Sequence, residues 1–104
     1  MRTVPLGTSE TQVPNVVLGL MRIMDSTDDE IRTLVGTARD AGIDFFDHAD
    51  IYGGRMHACK ERFAQAMRLS PAERAEITIQ TKAGIVPTDA GTYFDFSYNV
   101  FYHF

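Results

Sequence analysis

The chain has a single cysteine, Cys59, among its 104 residues, so it cannot close a disulfide within itself. A lone thiol suits a reducing compartment, and a cytoplasmic protein is expected. A basic excess is also missing: ten lysines and arginines against fourteen acids leave a net charge of −4. Nucleic acid and anionic membrane surfaces are therefore poor partners. The longest apolar run, Val16 to Met21, is interrupted by Gly19 and is far too short to span a bilayer. Residues 1–15 place Pro5, Glu10 and Pro14 around no apolar centre, so no secretory signal is expected. Neither the dinucleotide fingerprint nor the P-loop spacing occurs, and Gly53-Gly54 reads as a turn. What is present is a 44% hydrophobic chain of ordinary globular composition, one domain at most or part of one.

Taken in order, residues 1–15 mix β-formers with Pro5, Gly7, Ser9 and Pro14, which predicts a small hairpin. Val16 to Leu20 is a continuous apolar strand, the pattern of a strand buried on both faces. Thr27-Asp28-Asp29-Glu30 has the form of a capping box, its acids suited to the positive end of a helix dipole. Ile31, Leu34, Val35, Ala38 and Ala41 then recur at helical spacing and predict one buried stripe, closed by Gly42. A short strand, Ile43 to Phe46, follows. The next helix is predicted from about Met56 to Leu69, with Met56, Cys59, Phe63, Ala66 and Met67 inside. Arg55, Lys60, Glu61 and Arg68 fall outside. Pro71 to Glu76 allows one more turn, and the β-branched run Ile77 to Thr81 is a third strand. Strand, helix, strand, helix, strand over residues 16–82 implies parallel, right-handed connections. Beyond Ala83 the periodicity fades: residues 84–92 read as a loop, and residues 93–104 hold seven aromatics without a helical period.

The polar residues gather where strands end. Asp47, His48, Asp50 and Tyr52 follow the second strand, and Lys82 follows the third. In parallel α/β proteins the carboxyl ends of strands are where chemistry collects. A free tyrosine titrates near 10, so Tyr52 shuttles protons at neutral pH only beside a cation that favours its phenolate. Lys82 is that cation if its strand lies next to the Asp47 strand, with Asp47 holding the ammonium in place. Such a trio is a general acid able to protonate a carbonyl oxygen. Against it stands a plain ion pair between Asp47 and Lys82, with Tyr52 packed in a loop. A second chemistry would use His48 and Asp50, with His57 and Cys59, as ligands of a transition metal in a hydrolase barrel. Side chains alternate along a strand, which turns Asp47 and His48 opposite ways and weakens that idea. Cys59 lies on an apolar helix face and reads as a buried thiol.

The words Gly42 to Gly53 (G-I-D-F-F-D-H-A-D-I-Y-G) resemble the N-terminal signature of the aldo-keto reductases, in particular a bacterial subgroup of oxidoreductases. Ile77 to Lys82 is similar to the strand carrying that family's catalytic lysine. Val17 to Arg22 is similar to its first strand and the loop that meets the nicotinamide, and Phe94 to Ser97 to the start of a later helical segment. The resemblance covers about residues 13–97. It implies an α/β fold of the (β/α)8 TIM-barrel type, of which this chain holds the β-α-β-α-β N-terminal portion. A complete barrel takes about 250 residues. It also implies reduction of aldehydes or ketones with NADPH. Tyr52 would donate the proton, Lys82 would acidify it, Asp47 would hold Lys82, and Gly19, Leu20, Met21, Arg22 and Asp47 would touch the nicotinamide end. No metal is implied. The family's carbonyl-orienting histidine, at the end of the fourth strand, has no match, and His103 does not inherit that role.

The reading that follows is one barrel segment over residues 1–104: a hairpin (1–15), a βαβαβ unit (16–82), then a loop and divergent aromatic tail (83–104). Its expected partner is a small carbonyl substrate, and the chain alone is expected to be inactive. Two readings compete with it. One is a non-catalytic chain acting only by association; the other is the metal-dependent hydrolase.

Overall fold

The computed structural model describes residues 1–102. Strands β1 (Thr3–Pro5) and β2 (Gln12–Pro14) form an antiparallel hairpin with Val4 opposite Val13. Then come β3 (Leu18–Gly19), α1 (Asp28–Asp40), β4 (Phe45–Asp47), α2 (Ala58–Met67), α3 (Pro71–Ala75) and β5 (Thr78–Gln80). The strands β3, β4 and β5 make one parallel sheet in that order. The chain continues into a second hairpin, β6 (Ile85–Thr88) with β7 (Gly91–Phe94), and the described residues close with α4 (Tyr98–Tyr102).

Helix α1 starts and stops on the residues that announce it. The Thr27 hydroxyl accepts from the Glu30 amide at 3.1 Å, satisfying one of the free donors of the first turn. At the other end Gly42 adopts φ +87°, while Gly42 N–H and Ile43 N–H donate to the carbonyls of Arg39 and Ala38 at 2.9 and 2.8 Å. That left-handed cap turns the chain directly into β4. Helix α3 carries a full capping box between Ser70 and Glu73.

Register sorts the side chains of the sheet into two layers. Phe46 lies beside Leu18 and Ile79, and this row faces the helices; Asp47 lies beside Gly19 and Gln80 on the opposite side. Ile31, Val35 and Ala38 of α1, and Cys59, Phe63 and Ala66 of α2, close over Phe46. Phe46 and Phe63 meet with ring centroids 5.9 Å apart. Polar ties hold the two helices together at their margins. Arg62 donates to the Asp28 carboxylate at 2.5 Å and to the Ser26 carbonyl at 2.7 Å, and Arg32 Nε donates to the Ala66 carbonyl at 2.7 Å.

Several elements depart from the sequence expectation. The first strand is shorter, and Val16 and Val17 are 47% and 42% exposed rather than buried. Strand β3 is an edge of the sheet, so residues ahead of its two paired positions have no neighbour to cover them. Leu34 is 41% exposed, because the two helices and the sheet reach only the Ile31, Val35 and Ala38 flank of α1. Ala41 is exposed as the cap residue of that helix. Residues 84–92, expected as a loop, contain most of the β6–β7 hairpin. Its turn is fastened by the Thr88 hydroxyl donating to the Gly91 carbonyl at 2.8 Å. Pro87 disguised this strand; in a two-stranded ribbon it needs no donor on its outer side. The hairpin ladder runs on to Gly84, whose carbonyl accepts from the Asp95 amide at 2.8 Å. Gly84 has φ +112°, and a Cβ there would lie 2.2 Å from the Phe96 ring.

Phe46 is fully buried at the centre of this packing. Phe46→Ala is expected to cost about 3–5 kcal/mol of unfolding free energy, read as a lowered urea midpoint. A loss below about 1 kcal/mol, the level of an ordinary surface change, would contradict the core described.

Candidate active site

The backbone ladder extends past the ends of β4 and β5 and carries the polar residues with it. His48 N–H donates to the Gln80 carbonyl at 2.8 Å, and Asp50 N–H donates to the Lys82 carbonyl at 2.9 Å. Lys82 is thereby held alongside the loop that contains Tyr52. Its ammonium donates to Asp47 Oδ2 at 2.5 Å and lies 4.9 Å from the centroid of the Tyr52 ring. Asp47, Tyr52 and Lys82 are therefore brought to one rim of the sheet. The other carboxylate oxygen, Asp47 Oδ1, accepts from Gln80 Nε2 at 2.8 Å. Sequence reasoning missed Gln80, whose signal was its position two residues before Lys82 on the same face of the strand.

The Lys82 ammonium is favoured by this setting. Desolvation acts most strongly and pulls its pKa down, but hydrogen bonding to Asp47 and to Tyr52, with the charges of both, outweighs it and leaves the pKa above 10.5. Tyr52 is presented by a tight loop in which Gly53 and Gly54 have φ of +98° and +89°. The loop rests on α2: Cys59 N–H donates to the Tyr52 carbonyl at 3.1 Å, and a Cβ at Gly53 would come within 2.8 Å of Ala58 Cβ. Tyr52 and Lys82, with Asp50, Ile51 and Ile85, line a cavity of about 260 Å³.

Of the residues expected near a nicotinamide, Gly19 lies beside Asp47 in register, and nothing stands within 4 Å of where its Cβ would be. Leu20 N–H donates to the Asp47 carbonyl at 3.0 Å, while its side chain is fully buried in the core. Met21 and Arg22 are exposed and line a second cavity of about 470 Å³ with Met24, Asp25 and Gly53. The open space over Gly19, next to a strand-end carboxylate, fits a flat ring laid against the rim.

The residues of the metal scheme are dispersed. His48 is 1% exposed and meets Phe63 edge-on at 5.2 Å, on the helix side of the sheet. The Asp50 carboxylate pairs with Lys60 and lies 3.5 Å from His57 Nδ1. Cys59 is fully buried, its thiol facing the Met21 carbonyl at 3.5 Å, and burial pushes its pKa up. Among the described residues no three His, Cys, Asp or Glu side chains are arranged to hold a metal. No helix among them is long and apolar enough to cross a membrane. His103 lies outside the described residues.

A parallel sheet with covering helices on one side and polar residues at its carboxyl rim is the architecture of part of an α/β barrel. Comparison with known proteins gives the family. Residues 15–99 match the aldo/keto reductase family, and the chain belongs to it. It is 42% identical over 79 residues to the oxidoreductase YcsN of Bacillus subtilis, covering 74% of this chain and 26% of that protein. It is 34% identical over 88 residues to a 6-dehydroglucose reductase of Novosphingobium aromaticivorans, covering 79% of this chain and 29% of that one. A solved structure assigned to the aldo-keto reductases, from Pseudomonas aeruginosa, superposes with a TM-score of 0.74 at 31% identity. That superposition covers 91% of this chain and 36% of the solved one. The chain thus spans about a quarter to a third of these relatives and belongs to the TIM-barrel fold as a partial barrel.

Two pH responses follow from the site. The raised pKa of Lys82 gives stability that is whole below about 10.5 and lost as pH climbs through the higher folded value. Urea midpoints measured from neutral to strongly alkaline pH should fall in the wild type. The fall should be shallower in Asp47→Asn, which removes the carboxylate that holds the proton on Lys82. His48 behaves in the opposite sense: burial chiefly, then the charge of Lys60, lowers its pKa below 6.5, against a smaller opposing pull from Asp47. Its contribution is whole above about 6.5 and is lost as pH falls through the lower folded value. His48→Phe is expected to flatten the acid side of the same curve.

Proposed function

We propose that the chain carries the proton-donating rim of an NADPH-dependent reductase that converts aldehydes or ketones to alcohols. The observation that supports this most is the convergence of Asp47, Lys82 and Tyr52 at one strand-end rim, opening on an apolar cavity. Tyr52 gives its phenolic proton to the substrate oxygen as negative charge develops there. The Lys82 ammonium, already poised over the ring, stabilises the phenolate left behind. Asp47 fixes that ammonium with one oxygen, and Gln80 keeps the carboxylate from rotating by engaging the other. Gly19, Met21 and Arg22, with Asp47, would hold the nicotinamide end of the cofactor, and the buried Leu20 would anchor their loop. The dinucleotide, when bound, supplies the hydride that reaches the carbonyl carbon. Ile51 and Ile85 give the cavity its apolar walls, so a carbonyl on a hydrocarbon-bearing carbon suits it better than a highly charged one.

The test is NADPH consumption, with short aliphatic and aromatic aldehydes, by a full-length barrel that carries this segment. Tyr52→Phe, which keeps the ring and removes the proton, is expected to cost about 10²- to 10⁴-fold in turnover. Turnover unchanged by that substitution would remove Tyr52 from the mechanism. A second reading has its own observation: Phe94, Phe96 and Tyr98 are 75%, 67% and 66% exposed, as on a chain that acts by association with a partner chain. A soluble, monomeric 104-residue chain in analytical ultracentrifugation would exclude it.

A further inference from the structure

Lys60 was expected on the solvent side of α2, yet its side chain is only 26% exposed and its ammonium is drawn onto Asp50, whose side chain is 8% exposed. The same ammonium is 3.4 Å from the Thr81 hydroxyl. Asp50 lies two residues before Tyr52, and Thr81 lies one residue before Lys82. One cation on α2 therefore grips the Tyr52 segment and the Lys82 segment at once, from the helix side of the sheet. The main chain repeats the arrangement. Asp50 N–H donates to the Lys82 carbonyl at 2.9 Å, and the Asp50 carbonyl accepts from His57 N–H at 2.6 Å at the entrance to α2. A buried carboxylate that loses its cation keeps the full cost of its desolvation, so this pair resists separation more than an exposed one. The Arg39–Glu76 pair, at 2.5 Å with side chains 35% and 60% exposed, ties α1 to the end of α3 and touches neither segment. It is the natural comparison.

We propose that Lys60 is a positioning residue: through Asp50 and Thr81 it sets the separation between the Tyr52 phenol and the Lys82 ammonium, although it reaches neither. Helix α2 thus acts as the jig for the proton donor. The inference rests on the reading of Tyr52 as that donor, but its test reads the phenol itself and not turnover. A full-length barrel carrying this segment that showed no NADPH-dependent turnover would end the reductase reading and leave the following measurement intact.

The chain has four tyrosines and no tryptophan, so near-ultraviolet phenolate absorbance reports tyrosines alone. Subtracting the titration of Tyr52→Phe isolates Tyr52. The double variant Asp50→Asn/Lys60→Met removes one negative and one positive charge, leaving net charge as it was. Its Tyr52 titration should move to the alkaline side of the wild-type curve, because the phenolate loses its close ammonium. The double variant Arg39→Met/Glu76→Gln should leave that titration in place. A folded Asp50→Asn/Lys60→Met chain whose Tyr52 titrates as in the wild type overturns the proposal. Should that variant unfold, Thr81→Val decides: the position is exposed, valine keeps the β-branched shape, and only the acceptor for Lys60 is lost. A smaller shift in the same direction supports the role of Lys60, and no shift overturns it.

Discussion

A single carboxylate sits where the three parallel strands have to agree. Asp47 accepts from Gln80 with one oxygen and from Lys82 with the other, while its main-chain carbonyl receives the Leu20 amide from the neighbouring strand. The residue therefore joins β3, β4 and β5 at their shared end. A slip of one residue in either pairing would turn Asp47 toward the helices and Phe46 toward the rim. Burying Phe46 and presenting Asp47 are one constraint, and the strength of the hydrophobic layer underwrites the geometry of the polar one.

The alternation has a second effect on the family of charges. Those on the rim side, Asp47 and Lys82, remain partly open to water, whereas Asp50 on the helix side is nearly enclosed. Both carboxylates hold a lysine, but they hold it in different surroundings. Lys82, which lines the cavity, can respond to what enters it. The enclosed pair is costly to disturb and suits a fixed support.

Much of the fold is legible in the sequence wherever a local signal has one physical meaning. Thr27 and Gly42 mark the ends of α1 because a cap needs a short hydroxyl at one end and a left-handed residue at the other. The Asp47–Tyr52–Lys82 grouping is legible because strand ends in a parallel sheet come together by topology alone. Gln80 is not legible in that way, since an amide inside a strand acquires a role only once register is known. Lys60 reads as a solvent residue by helical position, and only the buried carboxylate across from it draws it inward. The β6–β7 hairpin escapes because proline and two glycines signal a loop locally, while the pairing that overrides them is between residues several positions apart. Val16, Val17 and Leu34 are apolar but uncovered, since covering depends on neighbours and not on the residue itself.

Gly84 leaves the rim two residues after Lys82, and the Phe96 ring lies against its bare α-carbon. Phe96 in turn stacks on Phe94 at 6.5 Å with the planes only 7° apart. A hydrogen atom in place of a methyl group thus dictates the direction in which the polypeptide departs. A larger substituent would displace the exposed Phe96 ring and strain the backbone at φ +112°, one residue before Ile85, a wall of the cavity. The shape of the opening beside the phenol is governed from its far side, by a spot on the backbone that bears no functional group at all.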